Sequence, residues 1–383
     1  MTHPLRDDAM LILGDLVGFP TVTSVSNLAL IDYVQDMLQP HATEIRVTHS
    51  PTEPKANLLA TLGPAVDGGV ILSAHSDVVP ADEIDWTGAP FVAMRREQRI
   101  YGRGTADMKG FLACALASAP ALAAGDLKTP VQIAVTFDEE IGCRGAPLLI
   151  EDLLAHGPTP TAAIVGEPTE MGIVTAHKGC YEYTTTITGI EGHGSQPDQA
   201  VNAVQYGARY IARLMELADE LRKRSPAASS YVPPHTTIST GRIHGGSARN
   251  VVAGECVLEW EMRPVNRADA THVLESLQEF EAILGEEMAP QCNIVTVAEG
   301  EVDGLEDDPG SAAIVLMQEL LDTDTVSTVP FGTEAGLYQQ AGITAVVCGP
   351  GSIDVAHQPD EYVGLDQLEA CLEMIQNLGV RLS

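Results

Sequence analysis

Three adjacent carboxylates, Asp138, Glu139 and Glu140, end the largely apolar stretch VQIAVTFDEEIGCRGA. Neighbouring like charges repel, and the end of a buried strand is a poor place to keep them ionised without a positive partner. A solvated turn would carry them without chemistry; a bound cation would carry them with it. Four other stretches offer groups that such a cation would take. In ILSAHSDVVP, His75 and Asp77 stand two apart on a strand and project from the same face. A metal-ligating histidine needs an acceptor behind it to fix its tautomer, which Asp77 could supply. In YGRGTADMKG, Asp107 lies among Gly102, Gly104 and Gly110, residues that let a loop approach a ligand. AAIVGEPTE ends a strand on Glu167, and GPGSIDVAHQPDEY places His357 in a Gly/Pro-rich loop. Singly, each is as well explained by a tight turn or a surface loop. Together they are five sites that each follow a strand, where open α/β sheets bind ligands. The glycines match neither G-x-G-x-x-G nor G-x-x-x-x-G-K-[ST], so a phosphate cradle is excluded.

Strands and helices alternate through the first 178 residues. NLLATL, GGVILSAH, VQIAVTF and TAAIVGE read as strands, GFLACALASAPALAA as a small-residue helix, and the N-terminus as an amphipathic helix. The pattern resumes near the end with a helix at SAAIVLMQELL, a strand at ITAVVCG and a terminal helix. Between them the order changes. YEYTTTITGI, a long helix through QAVNAVQYGARYIARLMELADELRKR, the strands TTISTGRIH and VVAGECVLEWEMRPV, a second helix and NIVTVAE follow in turn. The second helix carries the stripe Val273, Leu274, Leu277, Phe280, Ile283 and Leu284. This β-α-β-β-α-β order is that of a ferredoxin-like sandwich. The sequence therefore predicts an α/β protein with one domain, 1–179 plus 299–383, interrupted by a second at 180–298.

With 53 acidic against 21 basic residues the net charge is −32, which argues against nucleic acid and anionic membranes as partners. No apolar run reaches the length of a membrane span, and the first residues lack the pattern of a signal peptide. Seven scattered cysteines without a C-x-x-C pair suit a reducing compartment, so a cytoplasmic protein is expected. Histidine and carboxylate donors suit Zn²⁺ or Co²⁺, and no thiolate cluster competes.

The segments SAHSDVVP, YGRGTADMKG, DEEIGCRGA, GEPTE, HKGCYEY, GHGSQP and AHQPDEY follow one another in that order, and the match they carry extends over nearly the whole chain. In these motifs and their order it resembles the two-zinc amidohydrolases, which include aminoacylase, glutamate carboxypeptidase, succinyl-diaminopimelate desuccinylase and acetylornithine deacetylase. The resemblance implies a mixed-sheet α/β zinc-hydrolase domain with the ferredoxin-like insert serving as lid and dimerisation domain. It implies two divalent ions per chain: His75, Asp107 and Glu167 would hold one, and Asp107, Glu140 and His357 the other, with Asp107 bridging. Asp77 would orient His75, and Glu139 would be the general base. His193 of GHGSQP would reach a tetrahedral oxyanion across the interface of a homodimer. Asn250 and Arg263 would bind the α-carboxylate of a small acylated amino acid, Lys178 a further anionic group, and Glu334 a side-chain ammonium.

Overall fold

Ala56–Leu62, Val70–His75, Val131–Thr136 and Ala162–Val165 are buried along their whole length, as expected of strands covered on both faces by helices. The computed structural model describes residues 3–226 and 229–383. It divides into two compact units, Met1–Ala176 with Asp307–Ser327 and Thr333–Ser383, and His177–Glu306 with Thr328–Gly332.

The first unit is built on a mixed eight-stranded sheet. At its centre lie four neighbouring parallel strands, in spatial order Val131–Thr136, Val70–His75, Ala162–Val165 and Thr344–Val347. Their register sets His75 beside Thr136 and Ser73 beside Val165. The carboxyl ends of these strands therefore emerge side by side, followed in sequence by Asp77, by Glu139 and Glu140, by Glu167 and by the His357 loop. Leu62 and Val131 pair antiparallel, which makes the sheet mixed rather than wholly parallel.

Gly110–Ala124 is apolar on every side, and its residues from Gly110 to Ala119 are all buried. A helix of that kind belongs inside the fold; it packs against Arg6–Val17 and Leu365–Arg381. The helix Leu28–Leu38 and the edge strand Glu44–His49 are elements the sequence pattern did not single out.

The second unit has a four-stranded antiparallel sheet in the order Thr237–Gly245, Glu255–Arg263, Cys180–Thr188 and Asn293–Val302. Along Cys180–Thr188 and Glu255–Arg263 every second residue is buried, so one face of the sheet forms a core with two helices. Ala203–Lys223 contributes Tyr210, Leu214, Leu217 and Leu221 to that core, and Arg267–Glu287 contributes Val273, Leu277 and Leu284. Leu274 and Phe280 pack at its margin, whereas Ile283, expected in the same stripe, is 53 % exposed. The stretch read as one strand, VVAGECVLEWEMRPV, is two: Val251–Val252 pairs with Gly192–His193, and Glu255–Arg263 joins the main sheet. Cys114, Cys143, Cys256, Cys348 and Cys371 are buried. Among the described residues no helix is long and apolar enough to cross a membrane.

Candidate metal centre

His75 is the last residue of its strand, and its imidazole is buried. Its Nδ1 lies 3.0 Å from the Asp77 carbonyl oxygen, so the N–H sits on that nitrogen and Nε2 faces the carboxylates. Nε2 lies 2.9 Å from Asp107 Oδ1 and 3.6 Å from Glu167 Oε1. The other oxygen of Asp107, Oδ2, lies 3.2 Å from His357 Nε2, which is in turn 3.0 Å from Glu140 Oε2. Asp107 thus divides its two oxygens between two histidines 282 residues apart in sequence, and all five expected ligands fall into one cluster.

The Asp77 carboxylate does more than the sequence suggested. It is 3.7 Å from His75 Nδ1, farther than its own carbonyl oxygen, and accepts the backbone N–H groups of Glu139 (3.1 Å) and Glu140 (3.2 Å). It therefore pins the acidic turn. Asp138, the first residue of that turn, points away from the cluster and takes Lys55 Nζ at 2.6 and 2.7 Å. The triplet is thus divided: Asp138 pairs with a lysine, while Glu139 and Glu140 enter the site.

Several backbone positions are unusual where they serve this arrangement. His357 has φ +60°, a left-handed conformation uncommon outside glycine and frequent at functional sites. Gly104 has φ +82°, and a Cβ there would stand 2.7 Å from Val78. Gly166 has no such φ, but a Cβ would stand 2.0 Å from the Phe111 ring, so only glycine lets Glu167 approach.

The charge distribution calls for cations. Burial pushes Glu139 well above the usual carboxylate range, with Glu140, Asp107 and Glu334 adding to the effect. Burial and the Asp107 charge do the same to Glu167 and, in part, to Glu140. Burial would raise Asp107 as well, but hydrogen bonds from His357 and His75 hold it well below its ordinary value. Hydrogen bonds to Asp107 and Glu140 lift His357 to about 10. Burial opposes charge on His75, yet Glu167 and Asp107 raise it well above the usual range.

The donors fit a metal. Two ligands of a tetrahedral ion with bonds of about 2.0–2.1 Å stand about 3.3 Å apart, and the separations above run from 2.9 to 3.6 Å. Glu167 Oε1 is buried and makes no hydrogen bond, as a carboxylate oxygen reserved for an ion would be. Two triplets, His75–Glu139–Glu167 and His75–Asp107–Glu140, each bring one donor atom per residue within 4.8 Å of the others. Glu139, expected as a base, thus lies within the donor set. Its Oε1 accepts the Cys143 thiol at 3.6 Å.

Glu361 escaped the sequence reading. This buried carboxylate accepts the N–H groups of Gly104 (3.0 Å), Ala106 (2.9 Å) and Asp107 (3.1 Å), and pairs with Arg103 Nη1 at 2.7 Å. The available signal was an acidic residue four positions after His357, in HQPDEY.

The remaining predicted residues divide between the units. Glu334, in the first, is 1 % exposed and accepts the Ser73 hydroxyl at 3.3 Å, and burial raises it to about 7. The second unit holds the other four. His193 is exposed and its Nδ1 lies 2.7 Å from Ser195 Oγ. Asn250 adjoins it, for the Asn250 carbonyl accepts the Gly194 N–H at 2.7 Å. Arg263 pairs with Glu261 at 2.8 Å. Lys178 is 2 % exposed and donates to the His235 carbonyl at 2.8 Å.

Residues 71–379 match the model of Peptidase family M20/M25/M40. An acetylornithine deacetylase of Proteus mirabilis (strain HI4320) is 35 % identical over 366 residues, which is 93 % of this chain and 90 % of that one. The fold is similar to a tripeptidase from Staphylococcus aureus, with TM-score 0.76, 19 % identity and coverage of 99 % and 98 % of the two chains. It is also similar to a Bacillus subtilis M20 protein described as a dinuclear metal binding peptidase, with TM-score 0.66, 16 % identity and the same coverage.

Proposed function

The chain belongs to peptidase family M20/M25/M40 and is a metal-dependent hydrolase acting on amides, and on that premise we propose that it removes acetate from N²-acetyl-L-ornithine. The product would be L-ornithine, placing the reaction in arginine biosynthesis. The observation that carries the chemistry is the division of the Asp107 oxygens between His75 and His357. Support for the acyl group and the amino acid comes from the deacetylases of Proteus mirabilis and Klebsiella pneumoniae, at 35 % and 34 % identity. It comes also from GTADMKGF, GEPT, HKG, IHGG and TEA, which resemble motifs of acetylornithine deacetylase.

Two divalent ions, Zn²⁺ or else Co²⁺, would be held by His75, Asp107 and Glu167 and by Asp107, Glu140 and His357; bound there, they supply Lewis acidity toward water and an amide carbonyl. Glu139 takes the proton from the attacking water and delivers it to the departing amine nitrogen. Asp77 keeps Glu139 and Glu140 in place through their main-chain N–H groups. His193 donates to the oxyanion from across a homodimer formed by the inserted domain, which also serves as lid. Asn250 and Arg263 hold the α-carboxylate, for which the guanidinium fork is well shaped. Lys178 takes a further anionic group and Glu334 the δ-ammonium. The chain works in the cytoplasm.

One observation favours a second reading. Glu334 is buried against Ser73 rather than presented to solvent, which suits a substrate without a cationic side chain. Acetylcitrulline and N-acyl amino acids of the aminoacylase type are then the alternatives; succinyl-diaminopimelate, whose side chain ends in an ammonium beside a carboxylate, is the further family substrate to compare. Measuring kcat/KM of the metal-loaded protein on these and on acetylornithine separates the readings. We expect acetylornithine to lead by at least tenfold; no turnover of it beside good turnover of another would reject the assignment.

A further inference from the structure

Asp107 can serve two histidines only if its main chain is fixed, and the bonds inside its loop, from the Thr105 N–H to the Gly102 carbonyl (3.1 Å) and from the Lys109 N–H to the Gly104 carbonyl (2.8 Å), leave the Asp107 N–H to a partner outside it. Residues 102–110 contain Gly102, Gly104 and Gly110, and Asp107 itself departs from helical geometry at φ −121° and ψ 93°. Lys109 Nζ ties the end of the loop to the Leu16 and Phe19 carbonyls, and the main chain around Asp107 is held from the far end of the chain. Glu361 Oε1 accepts the N–H groups of Ala106 and Asp107, Oε2 accepts those of Gly104 and Arg103 Nη1, and the Glu361 carbonyl accepts that of Gly102 at 3.0 Å.

Arg103 extends the connection. It is 3 % exposed, lies 5.2 Å over the Trp86 ring, and donates to the Pro80 carbonyl at 3.3 Å and the Gln358 carbonyl at 3.4 Å. The pair thereby ties together the three segments that carry His75, Asp107 and His357. Charge-assisted hydrogen bonds to a carboxylate are the strong ones, and here four of them converge on one side chain.

We propose that Glu361 is a positioning residue for the metal centre. Held by Arg103, it sets the Asp107 main chain before any ion binds, so that the two Asp107 oxygens face His75 and His357 together. The role rests on the two-metal reading above. It couples both ions to one clamp, because Asp107 is the ligand they share.

Glu361→Gln keeps the size of the side chain but turns one acceptor oxygen into an N–H₂ group facing N–H donors. Outer partners of metal ligands are commonly worth about 10–100-fold in affinity. In a competition titration of metal-stripped protein with a Zn²⁺ chelator, we expect both equivalents to weaken by at least tenfold in Glu361→Gln. Turnover should recover at raised metal concentration, which a lesion of the fold would not permit. Arg103→Lys, which keeps the charge and loses the fork, should weaken binding less. A third measurement uses the wild-type chain: the amides of Gly104, Ala106 and Asp107 should be protected from hydrogen exchange in the metal-free protein. Unchanged affinity in Glu361→Gln overturns the proposal, and so do free exchange at these amides before metal is added and protection only afterwards. Wild-type protein that binds no divalent ion would instead reject the two-metal reading.

Discussion

Replacing Lys55 by methionine leaves the Asp138 carboxyl buried and unpaired at the head of the acidic turn. Lys55 Nζ touches both Asp138 oxygens at 2.6 and 2.7 Å, and also meets the Thr23 carbonyl at 2.6 Å and Glu53 at 3.0 Å. Asp138 is 1 % exposed and Lys55 5 %. Burial works against charge on Lys55, but hydrogen bonds to Asp138 and Glu53 raise it above its ordinary value. Breaking one side of a buried pair costs about 3–5 kcal/mol. The unit that contains it has about 250 residues, and at about 2.1 cal/mol/K of unfolding entropy per residue a loss of about 4 kcal/mol lowers Tm by about 8 °C. Lys55→Met with Asp138→Asn removes both charges and should regain most of the loss, a coupling read from a double-mutant cycle. The pH dependence has a definite sign. Burial already raises the folded pKa of Asp138 above the ordinary 3.8, with the Asp77 and Glu53 charges adding to it, and losing Lys55 removes what opposes them. The unfolded chain then releases that proton first, so the penalty is small near pH 4 and grows as pH rises. Thermal scans of the four proteins at pH 8 and pH 5 test this. A Lys55→Met protein within about 1 kcal/mol of wild type at pH 8, or a double variant no better than the single, would refute the reasoning.

The second unit should lose stability in mild acid through His177. Burial depresses that imidazole from its ordinary 6.5 to about 4, so its contribution is complete above about 6.5 and falls as the unfolded chain takes up the proton. The loss between pH 7 and pH 5 is about 2 kcal/mol. It appears as a lower urea midpoint, and His177→Gln should reduce the shift; an equal shift in the variant would count against it. Gly166→Ala forces a methyl to within 2.0 Å of the buried Phe111 ring. We expect about 3 kcal/mol of destabilisation together with weaker metal binding through the displaced Glu167, and an unchanged Tm and metal affinity would contradict the close packing.

Local pattern made much of the site legible. Apolar strands that stop at His75 and near Glu139 and Glu167 announce themselves by composition, because a buried strand cannot hold such groups anywhere but at its end. The helix Ala203–Lys223 was legible from its periodicity, and Asn202 caps it by accepting the N–H groups of Val204 and Gln205. What pattern could not supply was the partner of each polar group. Asp138 and Lys55 are 83 residues apart, and Glu361 and Asp107 are 254 apart. Such pairings depend on which strands become neighbours, and no periodicity encodes them. Ile283 shows the complementary failure: it fits the helical stripe of Val273 and Leu277, but at that end of the helix its neighbour Leu284 takes the core position and Ile283 stays exposed. Glu334 could be recognised as an acidic residue after a glycine and a threonine; its burial against Ser73 follows only from the packing of Ala335–Gln340 beside the sheet.

In the proposed mechanism the acidic turn divides its labour, Glu140 toward the metal and Glu139 toward the proton. Glu139→Gln tests it most directly, with metal content and turnover of acetylornithine measured on the same preparation. We expect two equivalents of divalent metal per chain, as in wild type, and a loss of turnover of about a thousandfold or more. Turnover within a few-fold of wild type would show that Glu139 is not the base, and loss of one metal equivalent would show that it is a ligand.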